Sequence, residues 1–517
     1  MTQRPVSEKI LRNTGFNIAG QVFAFLVGMA LVPFVITKLG QGKYGIWVVV
    51  FAFIEYLTLF DFGFGVAAVK YSAEYFTARD YQKIGQIVSL SVLFYSLFLP
   101  VVMVPIFLRD SIICFMHIPP ADCNEASFVL VGALLLFAGT SIFGVFRNIL
   151  IGLQRIDITT LFRVGYTLLN AVATVWVLQK GFGLRGLVVA AAVCQAAQIC
   201  AQAFLVFRMV PHIAGGLARI DLGMFSTFFR YGIKLQVSGL AGLFNFSYDK
   251  LLIGRFLHME MVTLYEIGAK ITMFIRTIPL LLLPPLLPAA SELNYLNDRE
   301  RLKDLYLRGS KYITLITAPL ALFLWESAPL VLRAWMGDGD YRWSVVAVRI
   351  LSIGYFFNVL TGIATNVARG MGVPQYEMRA CSLIAAANFI LSTVLTIKIG
   401  FVGALIGTSV SMTVGNIYYL YIFSRYMKES LAYFCGRVVV GPLLAAVAGA
   451  IVIHGVQYLL FHLLHLSEER MLCAAIVVIE AVMFGVVYSS IILATKYLDP
   501  IDRAVFQKFI PALRGKQ

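Results

Sequence analysis

Ionisable side chains interrupt the long apolar stretches of this sequence at ten positions, with an eleventh at the edge of a stretch. A charge in the core of a bilayer costs about 3 kcal/mol on insertion scales, so it normally faces a cavity or a partner. In a cavity, cations can bind an anionic ligand, whereas carboxylates can bind a coupling cation or act in a gate. The ten are Glu55, Asp61, Asp249, Lys250, Glu266, Lys270, Arg276, Glu326, Arg349 and Glu480, and the eleventh is Arg163.

The composition places these charges in a membrane. Of the 517 residues, 60% are hydrophobic and only 13% are charged, whereas a soluble domain carries about 25% charged residues. So many apolar residues exceed what a soluble protein could bury. The composition excludes a soluble enzyme, a disordered chain and a disulfide scaffold, and it indicates an integral membrane protein.

The apolar runs are long and uninterrupted, which favours helices over barrel strands because a helical span needs about 20 residues. We predict an all-α polytopic protein. Lys and Arg concentrate on the side that holds the N-terminus, so the positive-inside rule places both termini in the cytoplasm. The fourteen predicted spans are 14–37, 45–69, 86–108, 125–147, 159–179, 186–207, 232–254, 263–288, 312–332, 345–368, 380–399, 402–424, 438–461 and 471–495.

The sequence contains a weak internal repeat. Asn148–Gly152 is matched by Asn366–Gly370 at an offset of 218, and Gly183–Gly186 is matched by Gly400–Gly403 at an offset of 217. An offset that covers six spans predicts two parallel six-helix lobes, at 1–210 and 211–430, followed by two extra helices at 431–517. Two-lobe membrane proteins of this kind are typically alternating-access transporters with a site between the lobes. The alternative is that glycine-rich hairpins resemble one another by chance.

The cations on the eighth predicted span are the first candidates for ligand binding. Arg276 has no acid within one helical turn, so we expect it to line a pathway or to pair with an acid of another helix, such as Glu55. Lys270 can line the pathway too, or Glu266, four residues away, can neutralise it. Lys250, Arg349 and Arg163 are the other cationic candidates, and the first two could instead extend to the membrane interface.

Four acids are candidates for coupling or gating: Asp61, Glu55, Asp249 and Glu266. Asp61 precedes Gly63 and Gly65, which permit close helix approach or local unwinding. Asp61 could gate a cleft, bind a coupling cation, or cap a helix and pair with a basic neighbour.

Prolines interrupt the end of the eighth span, where Pro279, Pro284, Pro285 and Pro288 remove backbone donors and force kinks. We expect a broken helix here, either as a moving element or as a static bend. The charged stretch that follows, from Glu292 to Lys311, predicts a solvated helix.

Several other patterns carry little functional weight. The G-x-G-x-x-G match at Gly181–Gly186 lies in a tight hairpin between spans, so we predict no dinucleotide site. No Walker A motif occurs, no basic groove suggests nucleic acid, and no cofactor is expected. His454, His462 and His465 could share a helix face without a completing carboxylate. Cys114 and Cys123 share one outer loop and could either pair or stay free.

Four segments resemble the Wzx-type polysaccharide-biosynthesis flippases of the MOP exporter superfamily, whose fold is MATE-like. The segments are Leu39–Gly45, Asp61–Glu74, Tyr248–Gly254 and Gly370–Pro374. The resemblance implies a multi-pass protein of the bacterial inner membrane that translocates an undecaprenyl-diphosphate-linked oligosaccharide for O-antigen, capsule or exopolysaccharide synthesis. It implies membrane lipids, a polysaccharide polymerase and a chain-length regulator as partners.

Two other functions stay open at this point. A multidrug or cation exporter of the same superfamily usually has twelve spans and would favour an anionic, aromatic cleft. A membrane polysaccharide polymerase or ligase would need a large outer loop with catalytic residues, whereas the longest outer loop here, Arg109–Asn124, carries no convincing acid–base pair.

Overall fold

The structure is a computed structural model that describes residues 6–217, 221–280, 283, 286–463 and 469–502. All regular structure within these ranges is helical. The α-helices are α1 Val6–Leu39, α2 Gln41–Leu57, α3 Phe64–Thr77, α4 Tyr81–Leu97, α5 Leu99–Phe107, α6 Arg109–Phe115, α7 Cys123–Phe143, α8 Val145–Gly152, α9 Ile156–Gln179, α10 Gly183–Met209, α11 Leu222–Phe256, α12 Met259–Leu280, α13 Leu286–Tyr295, α14 Arg299–Met336, α15 Arg342–Leu360, α16 Gly362–Gly370, α17 Gln375–Ile399, α18 Phe401–Tyr426, α19 Leu431–Phe434, α20 Gly441–Tyr458 and α21 Arg470–Ala494.

Short segments of other helix types separate some of these elements. Three 3₁₀ turns occupy Thr58–Asp61, Pro120–Asp122 and Ile213–Gly216. Two π-helical segments, Cys435–Val440 and Leu459–Leu463, precede and follow α20. A π turn widens the helix locally and frequently occurs near functional sites.

The prediction of an all-α membrane protein is confirmed. In the described part of the chain, 12 helical stretches are long and apolar enough to cross a membrane. Two further predicted spans, 232–254 and 263–288, fall on α11 and α12, which contain 35 and 22 residues. The count of fourteen and the six-helix lobes at 1–210 and 211–430 stay predictions.

The helices form two compact bodies. The first comprises 1–263 with 396–401, and the second comprises 264–395 with 402–517. Aromatic rings fill the first core, where Phe64 stacks on Phe94 with ring centroids 4.3 Å apart. In the second core, Tyr306 stacks on Phe434 and donates or accepts a hydrogen bond with the hydroxyl of Ser424 at 2.9 Å. Large buried rings of this kind stabilise helix contacts through dispersion and close packing.

The second predicted span does not continue as one helix. α2 ends at Leu57, the chain tightens into the 3₁₀ turn Thr58–Asp61, and α3 begins at Phe64. Phe62 and Gly63 lie in the left-handed region, with φ of 45° and 70°. A glycine adopts this conformation without a steric cost, so Gly63 permits the break. The local unwinding that the glycines predicted is therefore present, and it places Asp61 at the broken end.

The motifs Asn148–Gly152 and Asn366–Gly370 both end a short helix. Asn148–Gly152 lies in α8, where a Cβ on Gly152 would stand 2.7 Å from the carbonyl oxygen of Val69. Asn366–Gly370 lies in α16, where a Cβ on Gly370 would stand 2.7 Å from the Cβ of Ala290. In each motif the glycine therefore lets a short helix approach its neighbour closely.

The proline-rich segment interrupts the helix, as expected. α12 ends at Leu280, one residue after Pro279, and α13 begins at Leu286 with Pro288 in its first turn. Pro284 and Pro285 lie outside the described residues. The prediction of one solvated helix from Glu292 to Lys311 is wrong. α13 ends at Tyr295 and α14 begins at Arg299, and the Lys311 side chain is buried.

A buried carboxylate fixes the segment after the last span against α14. Asp502 is fully buried and accepts hydrogen bonds from Lys311, from Tyr312 at 2.7 Å and from Arg308 at 3.0 Å. Arg308 also pairs with Asp499 at 2.8 Å. Burial alone would raise the pKa of Asp502, but the hydrogen bonds from Lys311 and Tyr312 outweigh burial and hold the pKa below its ordinary value.

Replacing Asp502 with Asn should destabilise the protein by about 3 kcal/mol, since it leaves the buried ammonium of Lys311 without its carboxylate. Because the folded-state pKa of Asp502 is depressed, this stabilisation is complete above the unfolded pKa of about 3.9 and disappears as pH falls through the folded value. Thermal unfolding in detergent should show a constant gap between wild type and variant from about pH 8 to about pH 5, narrowing below about pH 4. A gap that widens on acidification would contradict this.

Candidate functional site

A cavity of about 580 Å³ opens in the first body, at the break between α2 and α3. α4, α5, α7 and α8 supply the rest of its wall. The lining contains both polar and apolar groups. The polar groups are Thr58, Asp61, Tyr95, Thr140, Ser141, Arg147 and Asn148, and the apolar groups include Phe60, Val66, Val69, Phe98, Val102, Phe137 and Ile142.

Asp61 is held in place by an aromatic hydroxyl rather than by the basic neighbour that the sequence suggested. The Oη of Tyr95 donates a hydrogen bond to Oδ1 of Asp61. Gly65, the second residue of α3, lies beside both Asp61 and Asn148: a Cβ there would stand 3.0 Å from Nδ2 of Asn148 and 3.6 Å from Oδ1 of Asp61. The glycine therefore keeps room for these two polar groups in the cavity wall.

Two arginines give the region a positive charge. Arg147 is an exposed residue of α8 that lines the cavity. It is close enough to Arg163 of α9 for the two guanidinium charges to interact. Arg163 donates through one terminal nitrogen to the backbone oxygen and the side-chain oxygen of Asn17, at 3.1 and 3.0 Å. These bonds fix Arg163 to α1 and leave Arg147 as the cation of the cavity wall.

This arrangement suits binding rather than covalent chemistry. Arg147 can form a bidentate pair with a phosphate or carboxylate. The hydroxyl and amide groups can bind sugar hydroxyls, and the apolar groups can contact hydrocarbon. Within the described residues, no group of three His, Cys, Asp or Glu side chains could hold a metal ion.

The other candidates of the first body lie elsewhere. Ser247 of α11 donates a hydrogen bond to Oε2 of Glu55 on α2. Asp249 is buried on α11, and Lys250 beside it is half-buried. The structure therefore brings Asp61 and Arg163 into one region with Arg147. Glu55 contacts α11, and Asp249 is a residue of α11.

The candidates of the second body divide between α12 and α15. Lys270 pairs with Glu266 at 2.9 Å, as the four-residue spacing allowed. Arg276 is half-buried on the same helix. Arg349 donates through Nε to the backbone oxygen of Trp325 at 3.2 Å. Roles for these residues in ligand binding stay predictions.

The structure describes the two outer-loop cysteines and one of the three clustered histidines. Cys114 and Cys123 are both free, and the thiol of Cys123 donates to the backbone oxygens of Ile118 and Pro119. His454 hydrogen-bonds to Glu326. The side chains of His462 and His465 lie outside the described residues.

Sequence reasoning missed Arg147, Tyr95 and Ser141 as members of a site. Arg147 ends a predicted span, where an arginine ordinarily meets the membrane interface. The available signal was the repeat motif, since Arg147 directly precedes Asn148. A polar motif that recurs at corresponding helix ends could have been treated as a wall of the pathway.

Comparison with known proteins decides the family. Residues 10–293, more than half of the chain, match the family described as polysaccharide biosynthesis protein. The chain belongs to the polysaccharide biosynthesis protein family. Among its relatives, a Shigella flexneri protein named for O-antigen transport is 21% identical over 430 residues, which cover 80% of this chain and 98% of that protein. A glycan biosynthesis flippase of Haloferax volcanii is 21% identical over 236 residues, or 44% of this chain and 50% of that one.

Solved structures show the same fold for this member of the family. The lipid II flippase MurJ, in an inward closed conformation, superposes with a TM-score of 0.69 at 12% identity, covering 92% of this chain and 98% of MurJ. An inward-facing MATE multidrug transporter of the MOP superfamily gives 0.63 at 16% identity, covering 80% and 94%. The resemblance to Wzx-type flippases of the MOP superfamily is confirmed, and the chain is a multi-pass membrane protein.

The cavity should be accessible to water although it lies within a membrane-spanning body. In a cysteine-free background, Ser141→Cys should react with a membrane-impermeant thiol reagent, because the reactive thiolate forms in water and not in hydrocarbon. Val172→Cys is the matched control, since Val172 is 66% exposed on the apolar surface of α9. We expect labelling at position 141 and none at 172, measured by mass shift in intact membranes. An unlabelled thiol at position 141, like that at 172, would refute a wet cavity.

Proposed function

We propose that this protein translocates a lipid-linked oligosaccharide, carried on undecaprenyl diphosphate, from the cytoplasmic to the periplasmic leaflet. The observation that carries the proposal is the cavity of the first body, which combines Arg147 with polar and apolar walls. Membership in the polysaccharide biosynthesis family and the flippase fold support it. The product would enter O-antigen, capsule or exopolysaccharide synthesis.

The head group of such a lipid is costly to move through the hydrocarbon core of a membrane. A diphosphate with attached sugars cannot enter hydrocarbon without losing its hydration, which costs many kcal/mol for an ion. A cavity with a guanidinium, hydroxyl groups and an amide replaces that hydration. The apolar groups of the lining, which include Val66, Val69 and Val102, can stay in contact with a lipid tail.

Alternating access is the mechanism we propose. α2 and α12 are both interrupted, one at Gly63 and the other after Pro279, and interrupted helices are the elements that gate many transporters. An ion gradient or downstream consumption of the product would drive the cycle. The protein would lie in the bacterial inner membrane with both termini cytoplasmic, near a polymerase and a chain-length regulator.

One observation favours a second function, export of lipophilic cations. Asp61 lies in the cavity with Phe60, Tyr95, Phe98 and Phe137, and a carboxylate among aromatic rings attracts an organic cation. The charge of Arg147 opposes such a ligand. The two functions therefore differ in their dependence on Arg147: a flippase needs its charge, whereas a cation exporter should gain from its removal.

Loss of Arg147 should abolish surface polysaccharide. In a strain that lacks its own flippase and is complemented with this protein, Arg147→Ala should reduce export at least tenfold, because the diphosphate loses a charge-assisted pair. Arg147→Lys should keep part of the activity, since charge survives without the bidentate fork. Arg342→Ala is the matched control, because Arg342 is exposed and pairs only locally with Asp340. Full export by Arg147→Ala at native expression would remove the residue from the site.

Arg276 is the second cation that we expect along the pathway. Arg276→Ala should leave membrane insertion intact and abolish surface polysaccharide, and Arg276→Lys should keep part of the activity. The measurement is polysaccharide on the cell surface against protein in the membrane fraction. If the alanine variant instead failed to accumulate, Arg276 would have a structural role.

A further inference from the structure

A second group of ionisable side chains lies in the second body, where α14, α20 and α21 pack together. Glu480 of α21 is its centre and has no exposed surface. It lies ten residues after Arg470, where α21 begins, which corresponds to about 15 Å along the helix axis. That depth is about half of the 30 Å hydrocarbon core. Glu480 is therefore a carboxyl group near the middle of the membrane.

The contacts of Glu480 satisfy one of its two oxygens. Ser327 of α14 donates to Oε2 at 2.7 Å. Oε1 is buried too and accepts no hydrogen bond from the described residues. The side-chain amide of Gln457 on α20 lies beside the carboxyl group and is the second neutral donor that can reach it. An ionised carboxylate that has only neutral donors beside it is costly in an apolar interior, whereas a proton on the carboxylate removes the charge.

A more exposed acid–base pair lies next to this carboxyl group. His454 of α20 is exposed and its Nδ1 hydrogen-bonds to Oε1 of the half-buried Glu326. Glu326 directly precedes Ser327, so its charge lies close to Glu480. Histidine exchanges protons near neutral pH. The pair thus lies between the exposed face of α20 and the buried carboxyl group, close enough for Glu326 to act on Glu480 electrostatically.

Other charged groups on these three helices are engaged elsewhere. Arg333 of α14 pairs with Asp338 at 2.6 Å, and Arg470 donates to the backbone oxygens of Ala334 and Trp335. Arg308 and Lys311 belong to the Asp502 cluster. The other titratable side chains of α20 and α21 are the buried Cys473, Tyr458, and Tyr488, which donates to the backbone oxygen of Leu315. Those of α14 at 299–306 and 312 lie at least 15 residues before Ser327, and Arg349 of α15 donates to the backbone oxygen of Trp325. Among these described groups, none supplies a cation that would neutralise Glu480.

We propose that Glu480, together with the Glu326–His454 pair, is a proton-binding site. On proton uptake the Glu480 carboxylate becomes a neutral carboxylic acid beside the pair. The π-helical segment Leu459–Leu463 begins one turn after His454, where a local change in helix winding could accompany proton uptake. If the proposed function holds, this proton is the coupling ion of transport. The proton-binding site itself does not depend on that function.

Infrared titration of the purified full-length protein in lipid tests the site without any transport. Wild type should show a protonated-carboxyl C=O band that weakens as the pH is raised. Glu480→Gln should lack this band. Glu74→Gln is the matched control, because Glu74 is exposed and pairs with Lys70 at 3.6 Å, and it should keep the band. A band that is absent from wild type, or that does not change with pH, would overturn the site.

A second variant guards against loss of folding in Glu480→Gln. Ser327→Ala keeps the carboxyl group and removes its hydrogen-bond donor, so the midpoint of the band should move by a measurable amount. An unmoved midpoint would show that the titrating group is another carboxyl and would overturn the assignment.

Coupling is tested separately in vesicles with an imposed pH gradient. The gradient should accelerate lipid translocation by wild type and by Glu74→Gln, and it should have no effect on Glu480→Gln. Equal acceleration of Glu480→Gln would overturn the coupling role. If wild type translocated no lipid at all, the proposed function would fail while the titration result stood on its own.

Discussion

The hydrocarbon core of a membrane can neither hydrogen-bond to a peptide group nor solvate a charge, and the rest of this structure follows from that constraint. Each described span satisfies its backbone internally as a helix. Where a helix is interrupted, as at Gly63, the exposed end lies against protein and a polar cavity. Ionisable groups obey the same rule: Asp61 accepts from Tyr95, Lys270 pairs with Glu266, and Glu480 accepts from Ser327.

The same constraint explains why function concentrates at the imperfections of the helices. A regular apolar helix offers a polar ligand nothing, whereas the break after α2 exposes polar groups in a cavity of about 580 Å³. A transporter of polar head groups needs such a hydrophilic surface inside an apolar body. The short helix α8 supplies Arg147 and Asn148 to it, and Gly152 fixes α8 against α3. Packing glycines and ligand-facing side chains are therefore parts of one local structure.

The sequence predicted the features that depend on local chemistry. Apolar length located the helices, Gly63 and Pro279 marked two breaks, and the spacing of Glu266 and Lys270 indicated their pair. Partners from distant segments were not predictable, because hydropathy does not say which helix faces meet. Tyr95 lies 34 residues from Asp61, and His454 lies 128 residues from Glu326. Arg147 was missed for the same reason: its place in the cavity depends on the packing of α8 against α3.

The central claim is that this protein moves a lipid-linked oligosaccharide across a bilayer and that Arg147 takes part. The direct measurement uses purified protein in vesicles with a fluorescent undecaprenyl-diphosphate oligosaccharide in both leaflets and an impermeant quencher outside. Wild type should expose the entire fluorescent pool to the quencher, whereas protein-free vesicles should protect the inner-leaflet fraction. Arg147→Ala should resemble the protein-free vesicles and Arg342→Ala should resemble wild type. Protection of the inner leaflet by wild type to the same extent as in protein-free vesicles would contradict the account.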